Sequence, residues 1–415
     1  MKPPLLPFIS LILVLDGCGS SDSMRNTHSS AAVSRTAAST GALSIGVQGS
    51  QLVNGSGEPV QLRGVNVAGN TQSTGAPNMW DWSNLTTGNG SSPDWGAIKA
   101  WKVNAVRYCI SEASWQGRTT VNYNGARINN DPNHNYVATV KKDVAAINAL
   151  GMYVILVEYD SAPGALTPTE QNPMINSDNS LGFWSSVANA FKDNPAVLFE
   201  IFNEPFLGAP GDGVNPKAFK SLPKGANYYI RNGGAAASYY LANEGGTNTP
   251  VPYEWTTAGY QQALDAIRAT GATNVVVMGG QAYDNDDSWW TSDPPSDPLG
   301  QIAITYHAYQ TNYGYSLVQN TPQHRAAESV AMLTKPGVPV IITELGGPVG
   351  PDADTTFMTS MLNLIDAHGW GVLAWTWNPW NGSGKGSATL IQDAVKYAPT
   401  VGEGQVYNNW TLNHP

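Results

Sequence analysis

Ala196-Val197-Leu198-Phe199-Glu200-Ile201-Phe202 runs directly into Asn203-Glu204-Pro205. A second run, Val338-Pro339-Val340-Ile341-Ile342-Thr343, ends in Glu344-Leu345-Gly346-Gly347. Near-continuous apolar runs of this length read as strands buried on both faces, the signature of a parallel sheet. A carboxylate where such a strand gives out is costly to bury alone. Two of them, at the same end of two parallel strands, point to a shared site at the rim of the sheet.

Outward from these two runs the pattern repeats. Eight strands are expected: 61–67, 105–110, 153–158, 197–202, 274–278, 302–306, 340–343 and 371–376. Helical spacing lies between most of them, at 94–102, 136–150, 183–192, 254–270, 323–333 and 355–367. Gly151, Gly271, Gly337 and Gly369 fit the position just past a helix end. A hairpin over 44–60, turning at Asn54-Gly55-Ser56-Gly57, is expected to cap the bottom. Strand–helix alternation predicts the α/β class and a (β/α)8 (TIM) barrel with an N-terminal β-hairpin. A doubly wound sheet is the competing topology, disfavoured because Arg63-Gly64-Val65-Asn66 is not a phosphate-binding glycine loop.

The ends of the chain read differently. Lys2 and the apolar stretch from Leu5 to Leu15 have signal-peptide proportions and are too short to span a bilayer. The stretch ends in Leu15-Asp16-Gly17-Cys18-Gly19, which resembles a bacterial lipobox with Cys18 as the lipidated residue. An ordinary secretory signal with a chance cysteine is the plainer alternative. The division is therefore residues 1–18 signal peptide, 19–43 a Ser/Ala/Thr-rich tether, and 44–415 one domain. The protein is expected to be exported, either lipid-anchored to the cell envelope or secreted, with that anchor its one link to a membrane. Nothing after Trp410 reads as a separate binding module.

Among 415 residues, 13% are charged and 10% aromatic, and the net charge is −10. That balance argues against nucleic acid, which selects basic patches, and suits a neutral polymer. Cys109 lies in an apolar strand pattern and reads as a small buried hydrophobe rather than a nucleophile. No His/Cys spacing suggests a metal site, and no cofactor is expected. The stretch from Phe206 to Pro252, with Tyr228, Tyr229, Tyr239 and Tyr240, exceeds what a minimal barrel needs. It is read either as a substrate-facing wall or as a loop pinned down by its own rings.

The ordered set Arg107, Asn203-Glu204-Pro205, His307 with Tyr309, Glu344 and Trp375, on the second, fourth, sixth, seventh and eighth strands, resembles glycoside hydrolase family 5, the cellulase-type family of clan A. The resemblance covers roughly residues 44–400. It implies Glu204 as general acid/base and Glu344 as nucleophile of a retaining double displacement. It implies that Asn203 bonds the sugar 2-hydroxyl, that Arg107 and Tyr309 hold the nucleophile ionised, that His307 lies near the acid/base, and that Trp375 is a sugar platform. One departure stands out. The third strand should end in histidine by the family pattern, and Tyr159 stands there, between Glu158 and Asp160. Trp80, Trp82, Trp115, Trp289, Trp290, Trp377 and Trp380 are expected in rim loops, and Trp95, Trp101, Trp184, Trp255 and Trp370 in packing.

The function that follows is an endo-acting β-1,4-glucanase working as a monomer on a polysaccharide. β-Mannan, xylan and xyloglucan are alternative substrates. A transglycosylase and a non-catalytic glycan-binding surface lipoprotein are the competing functions, the last disfavoured by two glutamates that a binder does not need.

Overall fold

In the computed structural model the described residues are 43–68, 93–123, 126–129, 131, 133–164, 172–207, 222–239, 253–310, 317–318, 326–378 and 388–414. Cys18, Trp80, Trp82, Trp380 and Tyr240 lie outside them. Strands β1 (Ile45–Gln48) and β2 (Gln51–Asn54) open the chain, followed by β3 (Arg63–Val67), β4 (Ala105–Ser111), β5 (Thr120–Tyr123), β6 (Ala126–Asn129), β7 (Tyr153–Asp160) and β8 (Val197–Glu200). Then come β9 (Ala236–Tyr239), β10 (Tyr253–Thr256), β11 (Val276–Met278), β12 (Ile302–Tyr309), β13 (Val340–Gly346) and β14 (Gly371–Ala374). Eight of these close into a parallel barrel in the order β3, β4, β7, β8, β11, β12, β13, β14. The expected strands are the barrel strands, and the fold is the expected (β/α)8 barrel.

The closure has a local cause at β3. A side chain at Gly64 would place its Cβ 2.4 Å from the Ala105 carbonyl oxygen and 2.8 Å from Leu373. Only glycine lets β3 fit between β4 and β14. The Gly64 carbonyl in turn accepts the Tyr407 hydroxyl at 2.5 Å, which fastens the C-terminal helix Glu403–Asn413 to the barrel.

Inward-facing Leu62, Ala105, Ile155, Leu198, Val277, Ala303, Ile341 and Leu373 fill the lower barrel, and Ile45 and Leu52 of the hairpin pack onto them. Each fully buried Leu, Ile or Val side chain there contributes about 1.5–3 kcal/mol. The hairpin closes the bottom as expected, but its turn is Gly49-Ser50, since Gln48 pairs with Gln51. Residues 54–57 form a second reversal, in which the Asn54 side chain accepts the N–H groups of Ser56 and Glu58 at 2.9 and 3.0 Å. An Asx turn competes well with a hairpin turn, and the sequence motif alone does not rank them.

Helices Trp95–Ala100, Tyr136–Ala149, Ser180–Phe191, Tyr260–Ala269, Ala326–Thr334 and Thr356–His368 cover the barrel. Gly151, Gly271, Gly337 and Gly369 sit at φ +74°, +83°, +70° and +66°, the left-handed conformation a helix stop requires. The expected helix at 254–270 begins later, because Tyr253–Thr256 pairs with β9 instead. Trp115, Trp289, Trp290 and Trp377, expected at the rim, are buried in the shell between strands and helices. Trp115 meets Phe183 and Phe191, Trp289 stacks on Tyr260, and Trp377 meets Trp101 edge-on. Among the described residues no helix is long and apolar enough to cross a membrane.

Candidate active site

Strand parity delivers the polar groups. Along β4 the side chains alternate, so Arg107 points into the barrel while Tyr108 packs outward. Arg107 is fully buried and uses all five N–H donors. Nε and Nη2 bond the two Glu200 oxygens at 2.8 and 2.7 Å. Nη1 bonds Asn66 Oδ1 at 2.9 Å and Glu344 Oε1 at 2.6 Å. Nη2 also bonds Asn203 Oδ1 at 2.9 Å. Burial alone would lower the guanidinium pKa; Glu200 and Glu344 more than reverse this and hold it well above its ordinary value.

Glu344 lies near the C-terminal end of β13. Its second oxygen, Oε2, accepts the Tyr309 hydroxyl at 2.5 Å. Burial pushes its carboxyl upward, while Arg107 and the Tyr309 hydrogen bond pull the other way. The net direction is up, so this carboxylate ionises above the ordinary glutamate range.

Glu204 stands on the loop after β8 with φ +53°, a left-handed conformation that an L-residue adopts at a cost of about 1–2 kcal/mol. Its Oε1 is 2.9 Å from His307 Nδ1. One carboxylate oxygen of Glu204, one of Glu344 and a ring nitrogen of His307 lie within 4.8 Å of one another. His307 is fully buried, and burial pulls its imidazole down to about 4. It is therefore neutral at neutral pH. Its Nε2 lies 3.2 Å from the Thr343 hydroxyl, which also reaches Glu200 Oε1 at 3.2 Å and bonds Thr305.

Asn203 is oriented without ambiguity, because its Oδ1 faces a guanidinium and cannot be the amide nitrogen. Its Nδ2 has no partner among the described residues. Trp375 and Tyr159 stack face to face, ring centroids 5.8 Å apart and planes within 9°. The parity that turns Tyr159 toward Trp375 turns Glu158 outward. There Glu158 shares the Ser180 hydroxyl with Glu112, at 2.9 and 2.6 Å. Burial and the neighbouring Glu112 carboxylate push Glu158 well up. Cys109 is buried in a small apolar cluster with Ala68 and Val157 under Trp375.

The structure thus gathers Arg107, Asn203, Glu204, His307, Tyr309 and Glu344 at the C-terminal rim, with Tyr159 and Trp375 stacked together. The family model for cellulase (glycosyl hydrolase family 5) matches residues 53–381. The chain belongs to that family. It is 26% identical to an endoglucanase of Microbulbifer sp. (strain ALW1) over 339 residues, covering 80% of this chain and 50% of that protein. The chain spans half or less of the length of the curated relatives it matches. Its fold is that of a beta-glucanase from Saccharophagus degradans, with TM-score 0.59 and 18% identity over 90% of this chain and 94% of that one. It is also that of a mannanase catalytic domain from Streptomyces sp. SirexAA-E, with TM-score 0.56 and 18% identity over 93% and 97%.

Four residues of this family 5 site were not singled out by the sequence: Glu200, Asn66, Thr343 and Asp284. Glu200 carried a signal, as the one charge inside an otherwise apolar strand. Asp284 carried none, since it sits in a loop after β11 whose conformation has no motif. In the stretch 206–252, the described part forms a helix, Ala226–Asn232, and strand β9, which pairs with β10 just beyond it. Tyr229 is buried and Tyr228 meets it edge-on at 5.3 Å, which favours the reading of rings that pin the segment down.

Proposed function

We propose that the protein is a retaining, endo-acting β-glycanase, with β-1,4-glucan as substrate, Glu204 as general acid/base and Glu344 as nucleophile. The observation that carries this is the approach of the two carboxylates, one oxygen of each within 4.8 Å of the other. Retaining enzymes hold their carboxyl groups about 5–5.5 Å apart, whereas inverting ones leave about 6.5–9.5 Å for a water. The endoglucanase names of the curated relatives support the glucan assignment.

The chemistry runs in two displacements. A Glu344 oxygen attacks the anomeric carbon while the glycosidic bond breaks and its oxygen takes the Glu204 proton. A water then attacks the same carbon, gives its proton to Glu204, and releases Glu344. Arg107 and Tyr309 each bond one Glu344 oxygen and hold the carboxylate in place. Asn203 Nδ2 is the donor for the sugar 2-hydroxyl, a bond that strengthens in the oxocarbenium-like transition state. Trp375, held against Tyr159, offers a face to the pyranose ring. Export through the N-terminal segment, with Cys18 as lipid anchor, is part of the same proposal.

The test is reducing-sugar release from carboxymethylcellulose, mixed-linkage glucan, mannan, xylan and xyloglucan, with Glu204→Ala and Glu344→Ala. Activity on a β-1,4-glucan that either change abolishes is the expected result. Highest activity on mannan would replace the substrate, and silence on every polymer with the fold intact would leave the glycan-binding reading. Labelling of Glu344 by a 2-fluoro glycoside checks the covalent intermediate.

A further inference from the structure

Beside the acid/base the backbone does something unusual. Ala282, Tyr283 and Asp284, on the loop after β11, have φ of +56°, +61° and +56°, and none is glycine. Together with Glu204 at +53° this makes two left-handed segments facing each other. Non-glycine residues in this region cost of order 1–3 kcal/mol each and persist where surrounding bonds over-determine them. Here the bonds run between the segments. The Glu204 N–H donates to Asp284 Oδ2 at 2.9 Å, and the Tyr283 N–H to the Pro205 carbonyl at 3.0 Å. The Gly280 N–H donates to the other Asp284 oxygen, Oδ1, at 3.0 Å. Gly279 makes room, since a Cβ there would fall 1.9 Å from Asp284 Oδ1. The Phe206 and Tyr283 rings stack over the joint, centroids 5.4 Å apart.

Asp284 Oδ2 is also 3.5 Å from His307 Nε2, and His307 Nδ1 is 2.9 Å from Glu204 Oε1. Asp284 therefore reaches Glu204 twice, once through the peptide N–H and once through the imidazole.

We propose that Asp284 is a positioning residue for the acid/base: it fixes the Glu204 backbone and, from the far side of His307, backs the imidazole that bonds Glu204 Oε1. This rests on the reading of Glu204 as acid/base. The charged groups acting on Asp284 are Asp287 on its own loop and Glu200 and Glu204 from β8 and the loop beyond, all carboxylates. Burial and that crowd of carboxylates push Asp284 well up. The far nitrogen of His307, Nε2, has the Thr343 hydroxyl at 3.2 Å as its nearer neighbour, so the direct hold of Asp284 on Glu204 is the backbone bond. That bond, with the Tyr283 N–H on the Pro205 carbonyl, keeps Glu204 in its left-handed conformation and sets where its carboxyl meets the glycosidic oxygen.

The test compares Asp284→Ala and Asp284→Asn with the native enzyme on phenyl and 2,4-dinitrophenyl β-cellobioside. A phenolate leaving group needs the acid, and dinitrophenolate does not. Asp284→Ala is expected to lower kcat/KM on the phenyl substrate roughly 10- to 100-fold, within the span of general acid catalysis. On the dinitrophenyl substrate kcat/KM should change little. Asp284→Asn, whose amide oxygen can still accept the Glu204 N–H, should lose less. An equal loss on both substrates would mean a merely structural role and overturn the proposal. Should neither variant fold, amide hydrogen exchange of the native protein decides. Slow exchange of the Glu204 N–H is expected, and exchange at the rate of an unbonded loop amide overturns the proposal. Glu204→Ala run alongside keeps the two readings apart: if it lacks leaving-group dependence and azide rescue, the acid/base reading itself fails.

Discussion

Arg107 grips Glu200 with one edge of its guanidinium, Nε to Oε2 at 2.8 Å and Nη2 to Oε1 at 2.7 Å, and both side chains are fully out of solvent. Glu200 has no part in the proposed chemistry, yet it takes the larger share of the cation. The pair is what allows a second carboxylate, Glu344, to share the same guanidinium inside the barrel. Breaking a buried ion pair from one side costs about 3–5 kcal/mol, because the remaining charge is left desolvated. Arg107→Lys offers three donors where five are used and cannot reproduce the planar fork. It is expected to destabilise the fold by a comparable amount in chemical denaturation and to lower kcat/KM at least about 100-fold. A Lys variant with native stability and activity would show that charge alone suffices.

Much of this was legible in the sequence because it follows from period and position. The barrel strands announce themselves as apolar runs, and Glu204 and Glu344 as the carboxylates where runs end. Gly151 and Gly369 mark helix ends for a reason of φ alone. What was not legible depends on distant partners. The hairpin turn fell at Gly49-Ser50 because the register of β1 against β2 decides it, not the richer turn motif downstream. Trp289 and Trp377 looked like rim aromatics by neighbourhood and are core by packing. Asp284 is invisible until the loop after β11 meets the loop after β8. The resemblance supplied the roles of Asn203 and His307; the residues alone left each open.

Tyr309 tests the electrostatics of the proposed nucleophile. Its hydroxyl donates to Glu344 Oε2, and a donor to a carboxylate favours the ionised form. Tyr309→Phe removes that donor, so the Glu344 pKa rises further above its ordinary range. The group must be ionised to attack, so the acid limb of kcat/KM should move to higher pH by roughly one unit, about what one charge-assisted hydrogen bond is worth. Activity should fall more at pH 5 than at pH 8. A uniform fall across the profile would assign Tyr309 to geometry rather than charge.

Asp287 bears on stability rather than catalysis. It is fully buried, and neither carboxylate oxygen has a hydrogen-bond partner among the described residues. Burial, with Asp286 nearby, pushes its pKa well above the ordinary 3.8. An acid whose folded pKa is raised binds its proton more tightly when folded, so stability falls as pH climbs from the unfolded pKa through the folded one. Below the unfolded value that penalty is absent. Asp287→Asn removes the titration: Tm should be near native at pH 4, higher than native at pH 8, and flatter between. A slope unchanged by the substitution would mean that other buried acids, Glu158 and Glu403 among them, carry the pH dependence.

Tyr159 stands where the family resemblance implies a histidine, and the difference can be weighed by three substitutions. The ring lies parallel to Trp375 at 5.8 Å, so it holds the proposed sugar platform rather than offering a titratable nitrogen. Tyr159→Phe keeps the stack and should leave kcat/KM within about 3-fold of native, since the aromatic contact is worth about 0.5–1.5 kcal/mol and is retained. Tyr159→Ala removes the support. Because a loosened platform weakens the sugar equally in ground and transition states, KM should rise roughly 2- to 10-fold with a smaller change in kcat. Tyr159→His introduces the residue that the resemblance implies and with it a group titrating near 6.5 in the unperturbed case. Tyrosine titrates near 10, so the native profile has no such group at this position. The variant should therefore show an added inflection in kcat/KM between pH 5 and 8 that the Phe variant lacks. If His and Phe give the same profile, Tyr159 serves packing alone, and the choice of tyrosine over histidine has no bearing on the pH range in which the enzyme works.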